Sequence, residues 1–359
     1  MKENLKDIIL KPRFSLDSKE YETIKQCAEQ FPAGLTEREW NKAICRAIDE
    51  VEHNEGVKCT LELIEKAHEE LNRVYPQMFE EKSKLLKKAC MLCLQENLIE
   101  DAHKKMEDYL YDALSQVQYN AVNASMPFYS FRSFSTYSLD DIEKETISLA
   151  HPREFNDPLD TILVYWLNDE IKNNSANEIQ LKYRLLMKKV AEHIKIRCLI
   201  AGIKDDGQEL PVEDLNVLMW SHYANSHKGF CVRYEFDSDV FDPSKSLKRD
   251  KVVLVDKIKY SKTIKISKEP SIRKALFEKS DFWKYEKEMR LLSFDCSGND
   301  KEFPVIGCKG AAKAIYLGAR CSDANRRQME KAIGDKNIPL YQMVVDEEKL
   351  TRFKKILIG

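Results

Sequence analysis

The chain has 359 residues, of which 43% are hydrophobic and 33% are charged, and its formal net charge is −2. This length suits two domains, since one domain typically takes ~100–200 residues. The small net charge excludes a strong overall field that would draw the chain to nucleic acid or acidic lipid. The 10 cysteines are scattered through apolar stretches, a usage typical of a reduced, intracellular protein rather than of a disulfide framework.

The sequence also predicts where the protein resides. Its first residues are charged and contain no apolar core of a secretory signal. No apolar run approaches the ~18 residues that a membrane helix needs. We therefore expect a cytoplasmic protein with no membrane partner.

Residues 1–122 are predicted to form a helical domain. Thr36 and Glu39 have the spacing of a capping box, in which each side chain satisfies a free amide of the other residue. Pro76 is expected to end or bend a helix. Apolar residues recur at helical spacing over residues 40–51, 61–74, 85–93 and 102–114. Such helices suit a small antiparallel bundle or a stack of helical hairpins.

Residues 123–359 are predicted to form an α+β domain with a mixed, mostly antiparallel sheet. An aromatic run from Phe128 to Phe134 predicts the first strand. Helices are expected from about Leu159 to Leu199. Further strands are predicted at residues 147–150, 230–236, 252–255, 289–294, 303–306, 314–317 and 341–345. Because strands and helices do not alternate regularly, a doubly wound parallel sheet is not expected.

Several common enzyme motifs are absent from the sequence. It has no glycine-rich phosphate loop, no dinucleotide-binding glycine fingerprint and no paired-histidine metalloprotease helix. Cys90 and Cys93 form a lone CxxC, and no second pair has the spacing of a zinc site. Both cysteines lie on the apolar side of a predicted helix, so we expect core packing and predict no metal site.

Three segments carry the remaining polar chemistry. Asn156, Asp157 and Pro158 predict a turn, with Asp157 as helix cap and Pro158 at the first helical position. The alternative is a polar loop at the mouth of a site, with Asn156 or Asp160 facing inward. Residues 218–230 place two of the seven histidines close to a tryptophan, a tyrosine and a lysine. That segment is either a structural turn or a source of acid–base groups and a stacking tyrosine.

The third segment, residues 282–292, predicts a turn that enters a strand. On a strand, Glu286, Glu288 and Arg290 would point to the same side. They would form either a solvated outer face or the wall of a cleft in which the arginine keeps one carboxylate ionised.

In this order, the segments resemble a bacterial family, domain-of-unknown-function family 2971. The resemblance rests on an aromatic strand with Arg132, a Phe-Asn-Asp-Pro turn, and a Met-Trp-Ser-His-Tyr stretch that runs into His-Lys-Gly-Phe. A Trp-x-Tyr-Glu-x-Glu-x-Arg strand and a Leu-Gly-Ala-Arg turn complete it. It covers roughly residues 128–345 and leaves out the helical front part.

The order of these residues is also similar to that of ADP-ribosyltransferases, which use NAD. The resemblance implies that Arg132 holds phosphates and that Ser221 takes the serine position. Glu288 would grip the nicotinamide ribose, Glu286 would activate the acceptor, and Tyr223 would stack on nicotinamide. We further expect His222 among the catalytic residues. Asn156, His227 and Lys228 are expected among the NAD-binding residues.

Two other functions stay open at this point. One is a metal-dependent phosphodiester or nucleotide hydrolase that uses the two histidines, Lys228 and nearby carboxylates. The other is a non-enzymatic module that binds a nucleotide or a protein. A protein or nucleic-acid acceptor is possible, and the front helices would serve partner docking or self-association. The family resemblance also implies a role as a bacterial toxin or phage-defence effector.

Overall fold

The structure is a computed structural model that describes residues 2–119, 126–168, 178–204, 206–237, 251–265, 271–295, 305–348 and 352–359. The chain divides into two compact units. One comprises Met1–Tyr119 and Lys172–Ala191, and the other comprises Asn120–Ile171 and Glu192–Gly359. The predicted boundary at residue 122 stays a prediction. Within the part of the chain that the structure describes, no helix has both the length and the apolarity needed to cross a bilayer.

The first unit is helical, as the sequence predicts. The Thr36–Glu39 capping box is present, and Trp40 behind it is fully buried. The helix before Pro76 ends at Val74. This end is expected, because proline has no amide hydrogen with which to continue the hydrogen-bond ladder of a helix. The helices are α1 (Lys2–Leu10), α2 (Ser18–Glu29), α3 (Glu37–Asn54), α4 (Val57–Val74), α5 (Phe79–Gln95), α6 (Ile99–Tyr119) and, later in the chain, α9 (Glu178–Ala191).

The second unit contains the strands and the shorter helices. Its helices are α7 (Thr136–Glu143), α8 (Ile162–Asn168), α10 (Val217–Tyr223), α11 (Ile272–Phe277) and α12 (Asp323–Ile333). Its strands are β1 (Phe128–Arg132), β2 (Thr146–Ser148), β3 (Ile194–Ala201), β4 (Phe230–Tyr234), β5 (Lys251–Lys257), β6 (Lys259–Ser261), β7 (Glu278–Ser280), β8 (Glu288–Asp295), β9 (Val305–Gly307), β10 (Ala312–Leu317), β11 (Leu340–Val345) and β12 (Phe353–Leu357).

The main sheet has the strand order β12-β11-β10-β4-β1-β3-β8-β5. Only the β10–β11 pair in it is parallel among the described strands. Two small sheets, β2 with β9 and β6 with β7, lie beside it. The α+β class with a mixed, mostly antiparallel sheet is therefore confirmed.

The predicted extent of the helices that follow Leu159 was wrong. Helices were expected as far as Leu199, but α9 ends at Ala191 and β3 begins at Ile194. The segment Ile-Lys-Ile-Arg-Cys-Leu-Ile alternates side chains between two buried sheet faces, and both of its neighbours in the sheet are strands. The predicted strand at residues 303–306 lies partly outside the described residues, and its described part is β9.

The two faces of the main sheet carry separate cores. Phe128 of β1 belongs to one buried cluster, with Val232 and Leu291, whereas its neighbour Tyr129 belongs to the other, with Met219 and Trp220. This alternation follows from the two-residue period of a strand. The face that carries Tyr129 is the one on which a cavity opens.

Candidate active site

A cavity of about 350 Å³ opens in the second unit, within the size range of small-molecule sites. Strands β1, β3 and β8 and helix α10 supply much of its lining. Aromatic rings and carboxylates make up most of the rest. The lining residues are Tyr129, Phe131, Ala150, Glu154, Phe155, Asn156, Asp160, Ile196, Arg197, Cys198, Leu199, Ile200, Met219, His222, Tyr223, Lys279, Glu286 and Glu288.

Lys279 gathers three buried carboxylates at this cavity. Its Nζ atom lies 2.7 Å from Glu286 Oε2, and 3.0 Å from both Glu288 Oε2 and Asp160 Oδ2. The ammonium also lies over the Trp283 ring, 5.0 Å from its centroid. The four charged side chains come from a loop, a short strand, a 3-10 turn and the main sheet, so one lysine ties these elements together.

Arg290 completes the cluster from β8. Its guanidinium donates through Nε to Glu288 Oε1 at 2.7 Å, through Nη2 to Asp160, and through Nη1 to the Leu276 carbonyl oxygen at 2.8 Å. The side chain has no solvent exposure. The cluster thus holds three carboxylates and two cations, with one negative charge in excess when all are ionised.

The two glutamates of the cluster have opposite pKa shifts. Burial raises the pKa of the Glu286 carboxyl, although Lys279 and Tyr223 act in the other direction. Burial would also raise the pKa of Glu288, but Arg290 and Lys279 outweigh it and lower that pKa to about 2. Pairs whose environments separate their pKa values are the usual source of distinct acid–base roles. Glu286 is therefore the group suited to exchange a proton, and Glu288 stays ionised.

Tyr223 connects helix α10 to this cluster. Its Oη atom donates to Glu286 Oε1 at 2.5 Å, and burial and this hydrogen bond both raise the pKa of the phenol. The helix begins with Asn216, whose side chain accepts the Leu218 amide at 2.9 Å. One short capped helix therefore brings both Tyr223 and the exposed His222 to the cavity.

Glu286 is not on a strand, contrary to the sequence prediction. It ends a 3-10 turn, Asp281–Glu286, and β8 starts at Glu288. Lys287 between them has a left-handed backbone with φ 48°. That residue turns the chain so that both glutamates reach Lys279. They line a cleft rather than a solvated face, which decides between the two interpretations of this segment.

Arg132 does not share this cavity, which corrects the expectation that it would lie with the acidic pair. It points to the opposite sheet face, where it pairs with Asp141 and donates to Ser148 Oγ at 3.0 Å. Arg197 donates to the Ser148 carbonyl oxygen at 2.8 Å. Since successive residues of β1 alternate faces, Tyr129 and Phe131 line the cavity and Arg132 cannot.

The second half of the histidine-rich segment forms a turn and does not line the cavity. Asn225, Ser226 and His227 have left-handed φ values of 46°, 53° and 67°, a costly run for residues other than glycine. Ser221 Oγ lies 3.1 Å from His227 Nε2, which holds the turn against α10. Lys228 is exposed. Ser221 and His227 therefore hold this turn in place, and Lys228 does not line the cavity.

Two glycines are required by this turn. A Cβ atom on Gly229 would lie 2.2 Å from the Arg132 carbonyl oxygen, and one on Gly318 would lie 2.3 Å from the His227 carbonyl oxygen. The Gly318 amide donates to the Gly229 carbonyl at 2.8 Å. The His-Lys-Gly-Phe and Leu-Gly-Ala-Arg motifs are therefore two sides of one close backbone contact.

The Asn-Asp-Pro segment is a loop at the cavity rather than a helix start. Helix α8 begins only at Ile162, so Pro158 is not at its first position. Asp157 Oδ1 accepts the Leu159 amide at 2.9 Å within the turn. Asn156 and Asp160 line the cavity, which favours the polar-loop alternative.

Some cavity residues carried no signal in the sequence. Lys279 lies in the three-residue strand β7. Tyr260 of β6 does not line the cavity, but its Oη accepts a hydrogen bond from the Glu288 amide at 2.9 Å. Cys198 is exposed at the cavity, and desolvation by the surrounding protein raises its thiol pKa well above the usual range. The alternation of side chains along β3 would have placed Cys198 on the same sheet face as Ile196, but that strand was not predicted.

No metal centre forms from the candidate ligands. Among the described residues, no group of three or more His, Cys, Asp and Glu side chains is placed to hold a metal ion. Cys90 and Cys93 are buried in α5, which confirms core packing. Lys279 and Arg290 already engage the three carboxylates of the cavity.

Comparison with known proteins adds one match. Residues 219–291 match the family model described as Protein of unknown function (DUF2971). The matched segment carries His222, Tyr223, Lys279, Glu286 and Glu288, which all line the cavity. No curated protein matches the chain, and no solved structure does. The resemblance seen in the sequence is thus confirmed for this segment, and the DUF2971 description assigns it no activity.

Proposed function

We propose that the cavity is the active site of an ADP-ribosyltransferase that uses NAD as a substrate. The observation that carries this proposal is the excess of negative charge in the buried Asp160–Lys279–Glu286–Glu288–Arg290 cluster. Three carboxylates against two cations favour a substrate that carries or develops positive charge. NAD does both, since its nicotinamide ring is cationic and its ribose becomes an oxocarbenium ion during cleavage.

The lining fits the nicotinamide end of such a substrate. Phe131 and Tyr223 offer ring surfaces for a flat cation, whose attraction to aromatic faces is ~0.5–2 kcal/mol. Glu154 adds a further carboxylate to the lining and Arg197 adds a further cation. Arg132 is not assigned to the phosphates, because it lies on the other sheet face.

The reaction assigns separate roles to the two glutamates. The bond between the nicotinamide nitrogen and the ribose C1′ breaks, and its electron pair leaves with nicotinamide. Glu288, held ionised by Arg290 and Lys279, stabilises the positive ribose electrostatically. The acceptor donates a lone pair to C1′, and Glu286 takes the acceptor proton and releases it to solvent. NAD and the acceptor thus give the ADP-ribosylated acceptor, nicotinamide and a proton.

The other residues at the cavity support these two. Tyr223 fixes the Glu286 carboxylate through its 2.5 Å hydrogen bond. Lys279 and Arg290 already pair with the carboxylates that a metal ion would bind, which makes the metal-dependent hydrolase the weaker alternative. His222 lies at the cavity and is exposed, so it suits contact with the outer part of the substrate.

Nicotinamide release from NAD tests the proposal directly. The purified full chain is incubated with NAD labelled in the nicotinamide ring, with and without cell extract, beside Glu288→Gln, Glu286→Gln and Glu330→Gln. Glu330 is a matched control, because it is an exposed glutamate on α12. We expect Glu288→Gln to lower the rate by about 100-fold or more, the usual scale for one electrostatic group.

Folding is checked for each variant by circular dichroism and thermal unfolding. Wild-type protein that releases no nicotinamide in either mixture would refute the proposal. Equal rates for Glu288→Gln and Glu330→Gln would refute the role of the cluster. Binding of NAD without cleavage would instead support the non-enzymatic module.

A further inference from the structure

A second cavity of about 290 Å³ adjoins the first. Ile200, Met219 and Glu286 line both cavities, so these side chains form the wall between them. The remaining residues of the second cavity are Leu210, Asp214, Leu215, Asn216, Tyr285 and Lys287. None of these six residues lines the first cavity.

We infer that this second cavity is the acceptor subsite and that it takes a single nucleophilic side chain of a protein. The inference rests on the proposed ADP-ribosyl transfer and names its second substrate. A transferase needs two substrates on either side of one proton acceptor, and Glu286 is the carboxylate common to both cavities.

The lining favours a protein side chain over a nucleic acid. Leu210, Leu215 and Met219 give apolar contact to an extended stem, and a cavity of this size holds a side chain of ordinary length. Asp214, Glu286 and Lys287 are the charged lining groups, and Glu286 is already paired with Lys279. Asp214 is in addition paired with Arg352 and with Lys204, which leaves these two bases less available to phosphate.

The proton balance of the transfer also fits this place. The acceptor loses a proton as its lone pair forms the bond to the ribose C1′. Glu286 reaches the first cavity through its contacts with Tyr223 and Lys279 and also borders the second. A nucleophile that enters from the second cavity therefore meets the base and the ribose together.

A filling variant separates transfer from cleavage. Leu215→Phe narrows the second cavity, and Leu218→Phe makes the same change at a neighbouring residue that is 41% exposed and lines neither cavity. Lys287→Glu reverses a lining charge at an exposed position. The probes are synthetic peptides that each carry one Lys, Arg, Ser, Cys or Glu in an Ala-Gly background, and a single-stranded DNA and RNA oligonucleotide.

The donor in this experiment is NAD labelled in its adenosine part, so that the label stays with the transferred ADP-ribose. Label on each probe and released nicotinamide are measured on the same samples. We expect wild-type protein to label at least one peptide and neither oligonucleotide. Leu215→Phe should lower peptide labelling by about tenfold while nicotinamide release to water changes less than about twofold. Lys287→Glu should change the peptide KM by about threefold or more at saturating NAD, and Leu218→Phe should change neither quantity.

Each other result overturns the inference in a distinct way. Labelled oligonucleotide with unlabelled peptides rejects the protein acceptor. If all three variants release nicotinamide and transfer label equally well, the second cavity is not the acceptor subsite, and the proposed function stands. If Leu215→Phe lowers nicotinamide release and label transfer by the same factor, the two cavities do not have separate roles. No release by the wild type rejects the proposed function and, with it, the acceptor subsite.

Discussion

Lys279 Nζ lies 3.0 Å from Glu288 Oε2, although Lys279 belongs to a small two-stranded sheet and Glu288 begins β8 of the main sheet. Both side chains are almost fully buried, with exposures of 5% and 3%. This ion pair makes the candidate site a joint product of two sheets. It also means that the site and the stability of the unit depend on the same contact.

Removing the ammonium should destabilise the second unit. Lys279→Met removes a positive charge that compensates the buried carboxylates of Asp160, Glu286 and Glu288. Breaking a buried ion pair costs ~3–5 kcal/mol. The free energy of unfolding is measured by urea titration followed by tryptophan fluorescence. Lys284→Met, an exposed lysine on the adjoining 3-10 turn, is the control. A loss below about 1 kcal/mol for Lys279→Met, the scale of a surface pair, would contradict the buried network.

Acid should remove part of the stability through Glu288. Its folded pKa is lowered from 4.5 to about 2, so its stabilising effect is present above pH 4.5 and is lost as the pH falls toward 2. This linkage is worth about 3 kcal/mol. Glu286 has the opposite sign, because its raised pKa costs stability once the pH exceeds its unfolded value.

The measurement is the free energy of unfolding between pH 2 and pH 6 for wild type and Glu288→Gln. The variant should show a flatter acid dependence, since glutamine does not titrate. Parallel curves for the two proteins would show that Glu288 is not the group responsible. Glu330→Gln again serves as the control, and it should follow the wild type.

Tyr223→Phe should move the pH profile of the reaction. The tyrosine hydroxyl lowers the pKa of Glu286, which burial raises, so its removal should raise that pKa further. Because Glu286 must be ionised to accept a proton, the acidic limb of the kcat profile should shift to higher pH. Nicotinamide release is measured from pH 4 to 9. Tyr137→Phe changes an exposed tyrosine as the control, and coincident limbs for all three proteins would exclude the proposed hydrogen bond.

Gly229→Ala should disrupt the turn behind α10. Its Cβ atom would lie 2.2 Å from the Arg132 carbonyl oxygen, and neither backbone segment can yield easily. We expect a loss of more than ~2 kcal/mol, at the upper end of overpacking costs. Gly307→Ala is the matched control, because its Cβ atom would meet nothing within 4 Å. Thermal unfolding compares the two, and equal Tm values would argue against the close contact.

The local patterns of the chain predicted much of what the structure contains. The capping box at Thr36, the end of α4 before Pro76 and the strand that contains Val232 depend on contacts between near neighbours, so they can be predicted from spacing alone. The helix expected through Leu199 failed because β3 takes its conformation from strands that are far away in the sequence.

By itself, the sequence determined which residues alternate along β1 and that Glu286, Glu288 and Tyr223 were candidates for chemistry. Only the tertiary structure decided which sheet face carries a cavity, and it placed Arg132 on the other one. It also brought Lys279 into contact with Glu286 and Glu288. The order of these elements along the chain does not give the distance between them. Strand period is a local property of the backbone, whereas the burial of a charge depends on every element that packs around it.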